Sequence, residues 1–374
     1  MGVLGQVSFF VALIVAILVH ESAHFTVAKA FKIKVTEFFV GFGPRVWSTR
    51  RGETEYGVKA IPAGGYVKIA GMNPYEEIPP HDLPRTYGAK PPWERALVIV
   101  AGPLTHVMLA FLCFALWLGL VGRPVSTSPL VQEVTPTLSG APSPAAAAGL
   151  RAGDRIVAVD GTQNPTDTQL VRYTQTHVGQ LVTIVVERDG RRLSYRMSPV
   201  ATKVRTEEIG RVGVVLSLAR ERPGILGSIT GGVGMAGDAI KQTIGGIGTI
   251  FGPDGLGRIV HELFSSTPRR PAEGGPVSVV GVGRAVGQTA QNGNFGDILY
   301  IFALVNVFIG LINLLPLPPF DGGHLALLAI EKVRGRKVDA RKVAPVAAVV
   351  AAFFILFTLS VVYLDIVKPV NLTP

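Results

Sequence analysis

The chain has 374 residues, of which 48% are hydrophobic and 17% are charged. This composition is too apolar for an ordinary soluble enzyme of that length and predicts a membrane protein. The net charge of +10 does not indicate a nucleic-acid partner, because no basic stripe is interleaved with aromatic residues. The single cysteine, Cys113, excludes a disulfide framework and a cysteine-based metal site.

Four apolar stretches are long enough to span a bilayer, which requires about 20 residues. They cover residues 7–30, 96–121, 298–317 and 344–366. Basic residues crowd the segment after the first stretch and the link between the last two, and such residues favour the cytoplasmic side. Both segments are cytoplasmic if the chain starts outside and crosses four times. We therefore predict a polytopic α-helical membrane protein with four transmembrane helices and both termini extracytoplasmic.

The first apolar stretch contains the sequence His20-Glu21-Ser22-Ala23-His24. Residues four apart on a helix share a face, so His20 and His24 can bind one metal ion. Glu21 projects from nearly the same face and can polarise a water on that ion. Two imidazoles suit zinc, which in a catalytic site takes a third protein ligand and keeps one position open. Because a carboxylate within a membrane segment costs roughly 2.5–3.5 kcal/mol on insertion scales, we expect Glu21 to be functional.

Residues 32–95 form a polar region that we place in the cytoplasm. Within it, residues 57–70 alternate apolar and polar positions around a Pro-Ala-Gly-Gly sequence, which predicts a membrane-associated β-hairpin. This hairpin either offers an open strand edge to an extended substrate or is a plain surface hairpin. In the first case, Gly64, Gly65 and Tyr66 are the candidate substrate-binding residues.

Residues 123–201 are moderately charged and strand-rich. A short alanine helix ends at Gly149, an alternating strand covers 155–159, and further strands at 181–187 and 192–197 are joined by an Asp-Gly turn. The Gly149-Leu150-x-x-Gly-Asp-x-Ile run resembles a bacterial PDZ domain, which would lie outside the cytoplasm between the second and third spans. PDZ domains bind extended peptide ends by strand addition, which makes Gly149 and Leu150 candidate substrate-binding residues.

The region 202–297 contains a tract, residues 223–264, that is apolar but rich in glycine. A fifth crossing here would carry Asp321 to the opposite face from His20, so we expect amphipathic helices that lie on the outer membrane surface.

The third span runs into Asn313-Leu-Leu-Pro-Leu-Pro-Pro-Phe-Asp321-Gly-Gly-His324, where three prolines break the helix. Broken backbone at membrane depth is tolerated where it lines a cavity, so Asp321 is the expected third zinc ligand rather than a helix cap. His324 is a weaker candidate ligand. Asn313 can donate a hydrogen bond to a substrate carbonyl. His106, in the second span, either touches the metal site or the substrate path or is a structural histidine.

Together these motifs resemble the site-2 protease family of intramembrane zinc metalloproteases, in its bacterial four-span form with a single PDZ domain. Gly41-Phe-Gly-Pro44 and Ala101-Gly-Pro103 add to the resemblance, whereas His106 departs from the asparagine that the family commonly has. The resemblance implies a metalloendopeptidase with one Zn²⁺ per chain in the bacterial cytoplasmic membrane, its active site toward the cytoplasmic side. It also implies single-span membrane substrates, typically anti-sigma factors that a site-1-type protease has already trimmed, and a role in stress response.

The predicted organisation is thus a first transmembrane helix (1–31), a cytoplasmic region (32–95), a second helix (96–122), a PDZ domain (123–201), a membrane-surface region (202–297), a third helix (298–324), a basic link (325–343) and a fourth helix (344–367). The alternative is a non-proteolytic metal-binding or transport protein with a PDZ scaffold domain. A transporter would spread polar residues along several spans, whereas here they concentrate in two.

Overall fold

The computed structural model describes residues 2–73, 75–138, 140–204, 207–265, 276–291 and 293–368. The chain divides into two compact units, one comprising Met1–Trp117 and Ile225–Thr373, the other Leu118–Gly224.

The described α-helices are α1 Gly2–Ala30, α2 Pro92–Leu120, α3 Pro144–Ala148, α4 Asp167–Thr176, α5 Gly224–Phe251, α6 Pro253–Phe264, α7 Val279–Gln291, α8 Phe295–Asn313, α9 Asp321–Arg334 and α10 Ala340–Val367. The described strands are β1 Val35–Arg51, β2 Thr54–Ile69, β3 Arg123–Val134, β4 Thr137–Leu138, β5 Ala141–Pro142, β6 Arg155–Val159, β7 Thr162–Gln163, β8 Val182–Arg188, β9 Arg191–Met197, β10 Val200–Val204, β11 Glu207–Arg211 and β12 Val214–Glu221.

Four of the described helices, α1, α2, α8 and α10, are long and apolar enough to cross a membrane. They coincide with the four predicted spans. The third predicted span ends earlier than expected, because α8 stops at Asn313 and a proline-containing loop follows. Asp321 then opens the separate helix α9, in the segment that we expected to end the third span and begin the basic link.

The predicted hairpin at 57–70 is wrong. The turn lies at residues 51–54, and the Pro-Ala-Gly-Gly sequence falls within the long strand β2. The register shows why: residues 35–40 of β1 pair with 65–69 and, through 37–40, also with 55–58. The two halves of the expected hairpin therefore do not pair with each other, because residues 37–40 of β1 lie between them and pair with both. Local alternation in the sequence cannot reveal this arrangement.

The tract after the second unit differs from the expected surface helices. Ala236 and Ala239 of α5 lie in one buried cluster with Ala110, Cys113 and Phe114 of α2, together with residues of α8. The helix α5 thus packs along two of the apolar spans. Its small residues permit this close packing between helices.

Helix α7 packs against the first half of α1, where Gly283 lies beside the ring of Phe10. The buried Asp365 of α10 accepts a hydrogen bond of 2.6 Å from the backbone N–H of Ser278, immediately before α7. The helices α1, α7 and α10 are thereby linked within the first unit.

The second unit is a small α/β domain. Its largest sheet has the order β12-β3-β6-β8-β9, with β7 paired to β6, and it packs over a core that includes Val131, Ile156 and Ile184. The predicted strands at 155–159, 181–187 and 192–197 correspond to β6, β8 and β9. The predicted domain boundary at 201 is wrong, because β12 pairs with β3 and completes the sheet.

Candidate metal centre

Three side chains from distant parts of the chain converge at one point in the first unit. The His20 and His24 Nε2 atoms lie 3.1 Å apart. The Asp321 Oδ2 atom lies 3.3 Å from His20 Nε2 and 3.5 Å from His24 Nε2. Both imidazoles are buried, and Asp321 is partly buried.

The donor set fits zinc. A tetrahedral Zn²⁺ with bonds of about 2.0–2.1 Å holds its ligand atoms about 3.3–3.4 Å apart, and the three observed separations bracket this value. Two imidazole nitrogens and one carboxylate oxygen also match the ligands that catalytic zinc sites use, with a fourth position left for water.

Helix α2 determines how closely the imidazoles can be enclosed. The His24 Nδ1 atom donates a hydrogen bond of 2.7 Å to the Val98 carbonyl, which leaves Nε2 as the ligating nitrogen. Gly102 lies against both rings: a Cβ at this position would be 2.2 Å from His24 Nε2 and 2.7 Å from His20 Cε1. Only glycine lets the backbone of α2 approach the ligands this closely.

Asp321 is held by the elements around it. It is the first residue of α9, where the helix dipole favours a negative charge. The preceding Phe320 packs edge-on against Phe354 of α10 with ring centroids 4.8 Å apart. Further along α9, Glu331 forms a buried ion pair of 2.7 Å with Arg95 at the start of α2.

Glu21 and Asn313 line a cavity of about 220 Å³ together with His20 and Asp321. The expected base and the expected carbonyl donor therefore share one space with the metal-binding groups. His106 also lines this cavity, and its ring centroid lies 5.1 Å from that of His20. Its Nδ1 atom is 2.9 Å from Asn306 Oδ1 on α8.

The three candidate residues on β2, Gly64, Gly65 and Tyr66, have different surroundings. Gly65 lies beside Glu21, because a Cβ on Gly65 would be 3.5 Å from Glu21 Cγ. Gly64 has a φ of +135° and lies under the ring of Phe42. The Tyr66 hydroxyl donates a hydrogen bond of 2.5 Å to Glu37. Burial and this bond to a carboxylate hold the pKa of the Tyr66 phenol above its usual range.

Three other candidates are not among the three converging ligand residues. Leu150 is 5% exposed and packs in the core of the second unit, so its side chain does not form a surface for a peptide. Gly149 caps α3, and its carbonyl accepts a hydrogen bond of 3.1 Å from Arg188. His324 lines a separate cavity of about 430 Å³ beside Arg95 and Glu331 and is not among the three converging ligands.

Sequence reasoning missed the contributions of Gly102, Val98 and Asn306. Gly102 belongs to the Ala-Gly-Pro sequence already noted, but only the structure shows its contact with the imidazoles. The available signal for Asn306 was a polar residue in the middle of an otherwise apolar span.

A helical unit with four apolar, membrane-length helices and a His-His-Asp cluster beside a glutamate has the donor set of a zinc metalloprotease. The sequence profile of peptidase family M50 matches residues 8–357. The zinc metalloprotease Rip1 of Mycobacterium tuberculosis strain H37Rv is 32% identical over 407 aligned positions that cover 100% of this chain and 99% of the relative. The zinc metalloprotease RasP of Geobacillus kaustophilus is 28% identical, with 97% of each chain covered.

The chain therefore belongs to peptidase family M50 and is a zinc metalloendopeptidase of the site-2 protease family. It is a multi-pass membrane protein. The PDZ domain of an SdrC-like protein from Listeria monocytogenes also matches, at 21% identity and a TM-score of 0.21, over 25% of this chain and 92% of that one.

Proposed function

We propose that this protease cleaves single-span membrane proteins within or near the bilayer, with His20, His24 and Asp321 holding one zinc ion and Glu21 acting as the base. The observation that carries the proposal is the convergence of three ligand atoms within 3.5 Å of one another, in a cavity that Glu21 also lines.

The chemistry is peptide hydrolysis. Zinc, when bound, polarises the scissile carbonyl and lowers the pKa of water toward about 7. Glu21 accepts the proton of the attacking water and returns it to the leaving amine. Asn313, which lines the same cavity, donates a hydrogen bond to the carbonyl oxygen as negative charge develops there.

A helical substrate must unwind before its carbonyls become accessible. Residues 65–69 support this step, because they pair on one side with 35–40 and no other described strand pairs with them. An extended substrate segment can add to this strand edge beside Glu21. The exposed apolar side chains of Phe42, Val46 and Trp47 on the same β1–β2 element support its association with the membrane surface.

The biological setting that we propose is the bacterial cytoplasmic membrane, with the metal centre toward the cytoplasm and the PDZ domain outside. The substrate is an anti-sigma factor that a site-1-type protease has trimmed, and cleavage releases a cytoplasmic fragment in a stress response. The basic segments that flank α1 and α10 support this orientation.

The test compares the intact chain with Glu21→Gln against candidate single-span proteins expressed in the same cells. Glu21→Gln should retain one zinc per chain and lose cleavage, because the ligands remain while the base is gone. Ser22→Ala is the matched control, since the Ser22 hydroxyl bonds only the Leu18 carbonyl of its own helix. Full proteolysis by purified Glu21→Gln protein would refute the assigned base.

The PDZ domain has two proposed roles. It either binds the newly exposed end of a trimmed substrate or excludes substrates with bulky outer domains. Deletion of residues 123–221, the complete sheet, separates them. Cleavage of untrimmed substrates after deletion supports exclusion, and loss of cleavage of trimmed substrates supports recognition.

A further inference from the structure

We propose that His106 accepts a hydrogen bond from a backbone N–H of the unwound substrate, and that Asn306 fixes the imidazole tautomer that makes this possible. The inference rests on the proposed function, since it concerns the same cavity. It assigns a role to the one residue at which the chain departs from the family's motif.

The hydrogen bonds around Asn306 determine the tautomer of His106. The Asn306 Nδ2 atom donates to the Phe302 carbonyl at 2.9 Å, and a carbonyl can only accept. The side-chain oxygen of Asn306 therefore faces His106 Nδ1 at 2.9 Å, and Nδ1 must carry the proton. In a neutral imidazole with a proton on Nδ1, Nε2 is a hydrogen-bond acceptor.

The acceptor atom is available to a ligand. The His106 Nε2 atom has no hydrogen-bond partner among the described residues. It is also not one of the fully buried polar atoms without a partner, so part of its surface is accessible. Because His106 lines the 220 Å³ cavity, the surface that Nε2 retains faces that space. His106 and Asn306 are 1% and 0% exposed, so α2 and α8 hold the pair rigidly.

The cavity needs such an acceptor. An unwound peptide brings both a carbonyl and an N–H into a space with little water, and either group left unpaired costs about 1–3 kcal/mol. Asn313 can serve the carbonyl. Glu21 and Asp321 are committed to proton transfer and to the metal, which leaves His106 Nε2 as an uncommitted nitrogen acceptor facing the peptide.

The first measurement needs no cleavage. Imidazole ¹⁵N shifts of zinc-free, histidine-labelled protein in nanodiscs report the tautomer, with His106→Asn used to assign the resonance. We expect a proton on Nδ1 in the intact chain and a mixture of tautomers in Asn306→Leu. A proton on Nε2 in the intact chain overturns the inference.

The second measurement replaces single backbone amides of a cleaved peptide by esters at positions that flank the scissile bond, which removes one N–H at a time. One such ester should raise KM about five- to tenfold for the intact chain, as expected for one lost hydrogen bond. The same ester should have no comparable effect in His106→Leu. His106→Asn, whose amide oxygen can also accept, should restore most of the sensitivity.

Two controls separate the explanations. Thr105→Ala should behave like the intact chain, because the Thr105 hydroxyl bonds the Gly102 carbonyl of its own helix. Zinc content should be unchanged in His106→Leu. The Nδ1 atom of His20 is buried and has no hydrogen-bond partner among the described residues. Loss of zinc in His106→Leu would mean that His106 supports His20 rather than the substrate, which would overturn the inference. If the intact chain cleaves no membrane protein, the proposed function fails. If it cleaves such proteins but every ester changes KM equally in the intact chain and in His106→Leu, only this inference fails.

Discussion

Replacement of Gly102 by alanine should abolish metal binding without unfolding the helix. The added methyl would lie 2.2 Å from His24 Nε2, the atom that must face the metal. The ring cannot turn away freely, because its Nδ1 atom is bonded to the Val98 carbonyl at 2.7 Å. The clash therefore displaces His24 Nε2 from its position as a ligand.

The size of the effect follows from these distances. An ordinary carbon–nitrogen contact begins at about 3.4 Å, so the ring must shift by roughly 1.2 Å, whereas metal sites tolerate ligand displacements of about 0.2 Å. Disturbing only the residues that orient a ligand lowers metal affinity about 10- to 100-fold. Displacing the ligand itself should exceed that range, which corresponds to more than about 2.8 kcal/mol at 1.4 kcal/mol per tenfold change.

The assay is zinc content by mass spectrometry after dialysis against graded chelator, with cleavage measured on the same samples. Alanine in place of glycine stabilises a helix interior by about 1 kcal/mol, so a lower stability of helix α2 cannot explain a loss of zinc. Gly237→Ala on α5 is the matched control, since a Cβ there meets nothing within 4 Å. Stoichiometric zinc and normal cleavage in Gly102→Ala would refute the proposed enclosure of the ligands by α2.

Three further outcomes are expected. Asp321→Asn should reduce both zinc content and cleavage, since a neutral amide is a poorer ligand than a carboxylate. Glu331→Gln should leave Arg95 buried without its partner at 2.7 Å and lower the stability measured by thermal unfolding by about 3 kcal/mol, with zinc loss because α9 also carries Asp321. In the second unit, burial opposes ionisation of Asp154, but the Arg188 guanidinium and the backbone N–H of Arg151 together outweigh burial and lower the pKa of that carboxyl. The resulting stability is present above the unfolded-state pKa of about 3.9 and is lost as pH falls through the lower folded-state pKa. Hydrogen exchange of β8 should therefore be faster in Asp154→Asn than in the intact chain at pH 7, and the two rates should converge at low pH.

The proposed metal ligands, whose convergence the structure shows, could be predicted from sequence because each has a signal of its own. His20 and His24 lie at helical spacing directly after a charge-free run, residues 7–19, and α1 does form there. Asp321 follows three prolines that end α8, and the structure places it at the start of a new helix. What the sequence could not give was that these two places meet, which depends on the packing of α1, α2 and α8.

The errors have a common physical cause. The segment 57–70 alternates as a hairpin should, but its two halves pair with residues 35–40 that are distant in the sequence. The strand β12 was assigned to a membrane-surface region because nothing local marks it as the partner of β3. In both cases strand pairing depends on non-local contacts, which local patterns do not determine.

The helix α2 contributes no metal ligand, yet it acts on each part of the site. Val98 orients His24, Gly102 sets how closely the helix approaches both imidazoles, and Arg95 anchors the helix that begins with Asp321. On the same helix, His106 contacts His20 and joins α8 through Asn306. A displacement of α2 would therefore disturb the ligands, the carboxylate helix and the cavity wall together. For this reason substitutions along one face of α2 should affect zinc retention and substrate binding in a coupled way, whereas substitutions on its opposite, exposed face at Leu97 or Leu104 should affect neither.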